Sequence, residues 1–208
     1  MVKKTRKTSR TSKGTAAPGD RVINAALGLA AERGWRGLSL ADIAEGARLT
    51  LAEVRTLFPS KAAILQGFTR RTDERVLAAG TADGSSPRDR LFDVLMRRFD
   101  VLQPHRDAVR SIVRDVALDP LAAICQGPQL LCSMAWMLEA AGLSSAGIDG
   151  AIRTKGLTVV YLRALAAWLN DDSADLSKTM AALDRGLARA ERLAGVFCST
   201  RQAETKTA

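Results

Sequence analysis

Apolar residues recur along most of the chain at helical spacing. Val22, Ile23, Ala26, Leu27, Leu29 and Ala30 keep to one face and stop at Gly34. Leu91, Phe92, Leu95, Phe99 and Leu102 do the same ahead of Pro104, since residues three and four apart share a helical face. Val109, Ile112, Val113 and Val116 form a stripe at i, i+3, i+4 and i+7 between Pro104 and Asp119-Pro120, and the prolines bound that helix. A segment from about Ser145 to Leu169 is apolar on most sides, and one from about Ala174 to Leu193 carries Leu176, Met180, Leu183, Leu187 and Ala190. No stretch alternates with strand period and no internal repeat is visible. The pattern predicts an all-α fold.

The stretch Gly37 to Lys61, GLSLADIAEGARLTLAEVRTLFPSK, differs from these long segments. Its two apolar pieces are too short to persist as isolated helices. Each nevertheless opens with a hydroxyl residue and an acid three positions on: Ser39 with Asp42, and Thr50 with Glu53. That spacing is a capping box, in which hydroxyl and acid each accept from an otherwise orphaned backbone N–H. The first helix is expected to bury Leu40, Ile43, Ala44 and Ala47, and the second to present Leu51, Val54 and Leu57 or Phe58, with only Arg48-Leu49 between them. Two short helices joined so tightly form a helix-turn-helix, whose second helix can bring its N-terminal end to base edges in the major groove. Pro59-Ser60-Lys61 then ends the second helix and caps a third, setting Lys61 in a first turn where a phosphate is favoured.

The charge distribution fits a polyanionic partner. The formal net charge is +9, and residues 1–84 hold fifteen Lys and Arg against eight Asp and Glu, while the remainder holds sixteen against fourteen. Such asymmetry favours nucleic acid or an acidic membrane surface at the N-terminal part. Residues 1–19 read as a disordered basic arm able to reach a groove or phosphates, 80–87 as a Gly/Ser-rich connector and 199–208 as a flexible tail, because such compositions cannot bury a core. The longest uncharged run, Leu121 to Leu138, raises the question of a membrane span, but Gln126, a break at Gly127-Pro128, Gln129 and Ser133 argue for buried helix. The basic N-terminus lacks a following apolar segment, so a cytoplasmic protein is expected rather than a secreted one. Cys125, Cys132 and Cys198 show no close pairing and His105 is the sole histidine, so no disulfide framework, metal or cofactor site is expected. With no Ser/His/Asp set, carboxylate pair or Gly-rich phosphate loop, catalysis is not expected either.

The run LSLADIAEGARLTLAEVRTLFPSKAAIL carries an ADIA core, a Phe58-Pro59-Ser60-Lys61 close, and a preceding helix that ends in Gly34 just before Trp35. Over about residues 20–66 it resembles the DNA-binding signature of the TetR family of bacterial one-component regulators. The resemblance implies a DNA-binding domain over 20–66 and a helical effector-binding and dimerisation domain over 67–198. It further implies a homodimer that represses transcription at a palindromic operator and is released by a small molecule. Three positions depart from the family pattern: Arg48 stands where a Gly is usual in the turn, Arg55 replaces an aromatic phosphate contact, and Leu57 replaces a His. A guanidinium at Arg55 can serve a phosphate or a guanine edge. Arg48, if held at positive φ, costs on the order of 1 kcal/mol of strain; a different turn type is the alternative. The candidate DNA-contacting residues are Ser39, Arg48, Thr50, Leu51, Ala52, Arg55, Thr56 and Lys61.

In the second part, the Val109–Val116 helix, the SMAWML segment and the Phe92/Phe99 helix are three apolar elements able to enclose an apolar or amphipathic effector. Phe92, Phe99, Val109, Val113, Met134 and Met137 are candidate wall residues, with His105, Arg110 or Tyr161 as polar groups able to orient a ligand. The two last helices carry Val159, Val160, Leu162, Leu165, Trp168 and Leu169 on more than one side, which favours a four-helix bundle with a second copy. A second, less specific resemblance is carried by WLNDDSADLSKTMAALDRGLARAE. It is similar to the closing segment of a TetR-like lipid-binding protein of ubiquinone biosynthesis, and implies as an alternative a lipid or isoprenoid carrier at a membrane surface.

Overall fold

Helix boundaries follow the capping chemistry. In this computed structural model, residues 16–80, 82 and 86–204 are described, with side chains throughout except at 120–123, 125 and 194–204. Among the described residues the fold is all-α: α1 (Pro18–Arg33), α2 (Leu40–Ala47), α3 (Leu51–Leu57), α4 (Lys61–Ala78), α5 (Pro87–Leu102), a 3-10 turn at Gln103–His105, α6 (Arg106–Ala117), α7 (Pro120–Ala140), α8 (Gly147–Leu169) and α9 (Ser177–Glu204). α1 opens with Pro18, whose fixed φ suits a first turn, and closes at Gly34, which adopts φ 85° while its N–H donates to Ala30 O. Residues 1–15 of the expected basic arm lie outside the described residues.

Four boundaries depart from the sequence reading. Ser86 and Pro87, read as connector, instead start α5: Ser86 forms a capping box with Asp89, and Pro87 occupies the first turn. Gly127-Pro128 is no break, because α7 runs through Pro128. An interior proline removes one helical bond at a cost of about 3 kcal/mol, and the fully buried Ser133, Met134 and Met137 anchor the helix beyond it. α9 begins at Ser177 rather than near Ala174, since Leu176 turns through φ 54°. It stays helical to Glu204, so 199–204 are helix where a tail was expected.

Two buried clusters form around these helices. The first joins Val22, Ile23, Ala26, Leu27 and Ala30 of α1 to Ile43, Ala44, Val54 and Ile64, and it also takes Ala108 and Ile112 from α6. The expected boundary at residue 66 is thus no packing boundary, since α6 supplies part of the N-terminal core. The second cluster fills the space among α5, α7, α8 and α9, with the Phe99 ring stacked on Tyr161 at 5.7 Å and on Trp168 at 5.8 Å. On α8, Val160, Leu165, Trp168 and Leu169 are buried, while Ile148, Ile152, Val159 and Leu162 are left exposed. Among the described residues no helix is long and apolar enough to cross a membrane.

Candidate nucleic-acid interface and effector cavity

The helix-turn-helix is built from caps. Ser39 Oγ accepts the Asp42 N–H at 3.1 Å while the Asp42 carboxylate accepts the Ser39 N–H at 2.8 Å. Thr50 and Glu53 repeat this at the start of α3, at 3.2 and 2.7 Å. Hydrogen bonds from Ser39 hold the Asp42 carboxyl below its ordinary range, and those from Thr50 do so for Glu53. Between the helices Arg48 sits at φ 54°, ψ 49°, in the left-handed region, its N–H donating to Ala44 O and Glu45 O. The strain is offset from α1, where Arg21 Nη2 donates to Ala47 O and, at 2.8 Å, to Arg48 O.

α3 is anchored by few residues. Val54 is buried and Phe58 half-buried, while Leu51, Ala52, Glu53, Arg55, Thr56 and Leu57 are exposed. Phe58 rather than Leu57 is therefore the second anchor, and Leu51, one turn before Val54, lies outside the core. The Phe58 ring fits only because α4 has glycine at 67, where a Cβ would stand 2.7 Å from Phe58 Cε1. Arg55 Nη1 donates to Pro59 O at 2.9 Å, an exposed contact at the end of its own helix.

The structure gathers Thr50, Leu51, Ala52, Arg55 and Thr56 on the exposed part of α3 and its cap, with Ser39 and Arg48 exposed at the two ends of α2. Lys61 is engaged elsewhere. Its Nζ donates to Trp35 O at 2.8 Å and Leu38 O at 2.6 Å and stands 4.8 Å from the Trp35 ring centre. Burial holds its pKa below the ordinary lysine value. Two of its three donors are thus occupied in closing the α1–α2 loop against α4.

That same loop is clasped by α6. Ser111 Oγ accepts the Trp35 N–H at 3.0 Å, and Asp115 Oδ2 accepts the Arg36 N–H at 2.8 Å. The Arg36 N–H, followed by Arg114, holds the Asp115 carboxyl below its ordinary range. Neither Ser111 nor Asp115 stands out in the sequence, where polar residues beside an apolar stripe read as a solvated face.

On its other side α6 walls a cavity of about 320 Å³, lined also by Leu65, Phe68 and Thr72 of α4, Arg98 and Leu102 of α5, Gln129 and Leu130 of α7, and Tyr161 and Leu165 of α8. Of the expected wall residues, Val109, Val113 and Tyr161 lie in it. Phe99, Met134 and Met137 are instead fully buried core. Phe92 faces a separate shallow cleft with Arg88, Met180 and Asp184. His105 packs edge-on against Phe68 at 5.7 Å, and burial, then Arg71 and Arg75, hold it below the ordinary histidine value. Arg110 donates to Leu169 O at 2.6 Å rather than lining the wall.

The polar residue of this wall that sequence reasoning misses is Arg98. It is 3% exposed and paired with Asp73 of α4, which also accepts from Ser133 Oγ of α7 at 2.7 Å. Burial opposes the Arg98 charge, but Tyr161, whose ring lies 5.3 Å away, and Asp73 hold its pKa above the ordinary arginine value.

Two capped helices around a tight turn, with the second exposed and the pair seated on helices that enclose a cavity, make an all-α helix-turn-helix architecture. Residues 22–67 match the family model described as bacterial regulatory proteins, tetR family. A TetR regulator from Nitrosomonas europaea is similar at 24% identity and a TM-score of 0.66, over 84% of this chain and 98% of that one. One from Rhodococcus sp. RHA1 aligns at 17% identity and 0.64, over 83% and 94%, and one from Streptomyces coelicolor at 15% and 0.60, over 91% and 87%. At these identities the likeness is one of fold. No curated protein matches the chain. The lipid-carrier alternative receives no support from these comparisons.

Proposed function

We propose that the protein is a cytoplasmic homodimeric repressor that occupies a palindromic operator through α3 and is released by a small apolar or amphipathic effector. The observation that carries the reading is the exposure of Leu51, Ala52, Arg55 and Thr56 on a helix whose start is fixed by a capping box. A rigidly held, exposed helix of this kind suits insertion into a major groove. The exposed Ile148, Ile152, Val159 and Leu162 of α8 support a second copy packed on that face, since a large exposed apolar patch marks an interaction surface.

Release follows from α6. The helix contributes Val109, Ile112, Val113 and Val116 to the cavity wall and Ser111 and Asp115 to the α1–α2 loop. An effector that prefers a shifted α6 therefore favours a dimer whose heads no longer match the half-site spacing. The population shift is bounded by the effector's preference between the two states.

The test is selection of bound fragments from genomic DNA by the full chain, followed by competition at raised salt. A recovered palindrome is expected. Uniform binding that salt abolishes, a sign of phosphate contacts alone, would contradict the repressor.

A further inference from the structure

α3 is short of groups that can read a base edge by hydrogen bonding. Its sequence, LAEVRTL, holds no Asn, Gln, Lys or Ser, so no side chain on it matches the paired donor and acceptor of adenine. The hydroxyls at hand are engaged: Thr50 Oγ1 accepts the Glu53 N–H at 3.2 Å and donates to Glu53 Oε2 at 2.7 Å, and Thr56 Oγ1 donates to Ala52 O at 3.0 Å. Glu53 Oε2 also accepts the Thr50 N–H. Arg55, bonded through Nη1 to Pro59 O, keeps further N–H groups and is the one long donor of this helix.

What α3 leaves open is apolar. Leu51 is 55% exposed and Ala52 beside it is exposed too, while Val54 holds the helix to the core. Leu51 and Arg55, four positions apart, share a helical face. A lone exposed leucine is ordinary at a protein surface. This one stands in the first turn of the second helix of a helix-turn-helix, the part that meets base edges in the major groove. Only thymine carries an apolar group on that edge, its C5 methyl. Packing that methyl on an isobutyl group removes apolar surface of both from water, whereas any other base would set a polar edge against Leu51 with no partner for it. We propose that Leu51, with Ala52, selects T·A pairs in each operator half-site by contact with thymine methyls, leaving Arg55 as the charged contact of the helix. The proposal rests on the reading of α3 as the operator-binding helix and adds what that helix recognises.

The test is selection of duplexes by the full chain from a randomised library, after which the recovered sequence is remade with deoxyuridine in place of each thymidine in turn. Uracil keeps the thymine O4 and lacks only the methyl, so the substitution isolates the apolar contact. At least one thymidine in each half-site is expected to be sensitive, and replacing it in one half-site should weaken binding about fourfold, the worth of one buried methyl. At that position 5-methyldeoxycytidine is expected to bind tighter than deoxycytidine by a similar factor. In Leu51→Ala, which changes an exposed side chain and should melt as the parent does, the deoxyuridine penalty is expected to disappear. Undiminished binding of every deoxyuridine duplex overturns the proposal while leaving α3 as the operator-binding helix. A penalty that persists in Leu51→Ala overturns it as well, since the methyl is then met by another residue. If no sequence is enriched over the starting library, the operator reading fails and the proposal falls with it.

Discussion

The Asp115 carboxylate on α6 accepts the backbone N–H of Arg36 at 2.8 Å, joining a wall of the cavity to the loop that leads into the helix-turn-helix. Asp115→Ala removes a hydrogen bond to a charged acceptor, worth about 1.5–3 kcal/mol. A lower melting temperature is expected, together with operator affinity that responds less to effector. Calorimetric melting and operator binding with and without effector check this; an unchanged effector response would mean that the signal travels by another route.

Acid should loosen the fold. Hydrogen bonds from Ser39, Thr50 and Arg36 depress the Asp42, Glu53 and Asp115 carboxyls. Burial opposes the charge of Asp171, yet donors on Ser173 and Thr179 outweigh it and depress that group too. For acids with lowered folded pKa values the stabilisation is fully present above the unfolded value, about 4, and is lost as pH falls through the folded values. The melting temperature is expected to decline gently below about 6.5, where the unfolded chain protonates His105 more readily than the folded one, and to fall more steeply below about 4, with a shallower acid fall in Asp171→Asn. A melting temperature that rises on acidification would contradict this.

Lys61 separates a structural role from a phosphate contact. Lys61→Met removes the bonds to Trp35 O and Leu38 O, and about 1.5–3 kcal/mol of stability should go with them. The slope of log affinity against log salt should be unchanged, whereas loss of a phosphate ligand would flatten it by about one unit for each contact. Thermal melting and a salt titration of a non-specific duplex distinguish the two.

Assembly is tested on α8. Acidic substitutions at Ile152 and Val159, both at least half exposed, should convert a dimer into a 22.3 kDa monomer while helical content is kept. Sedimentation equilibrium reads the mass. A parent chain that sediments only at 22.3 kDa would remove the two-headed repressor.

The head was legible because its determinants are local. Ser39–Asp42 and Thr50–Glu53 are each three residues apart in sequence, so the caps and the turn could be read without knowing the fold. Helices with clean stripes were equally plain. The cavity was not, because which apolar residues line a void and which fill a core depends on partners far along the chain: Phe99 is taken up by Tyr161 and Trp168, and Arg98 lies in a core stripe only because Asp73, twenty-five positions earlier, meets it there. The α6 clasp was hidden for the same reason, since Arg36 and Asp115 lie seventy-nine residues apart. Pro128 misled because a local rule predicts a break that buried tertiary contacts override.

The central claim, that α3 reads the operator, is tested most directly by titrating salt against fluorescent operator and scrambled duplexes with the parent and Arg55→Ala. Arg55 is exposed and bonded only to Pro59 O among the described residues, so melting temperature and dimerisation should stay close to the parent. Operator affinity should collapse, because a charge-assisted contact worth roughly 1.5–3 kcal/mol is lost from each of two half-sites. Operator binding by Arg55→Ala equal to that of the parent across the titration would show that α3 is not the reading head.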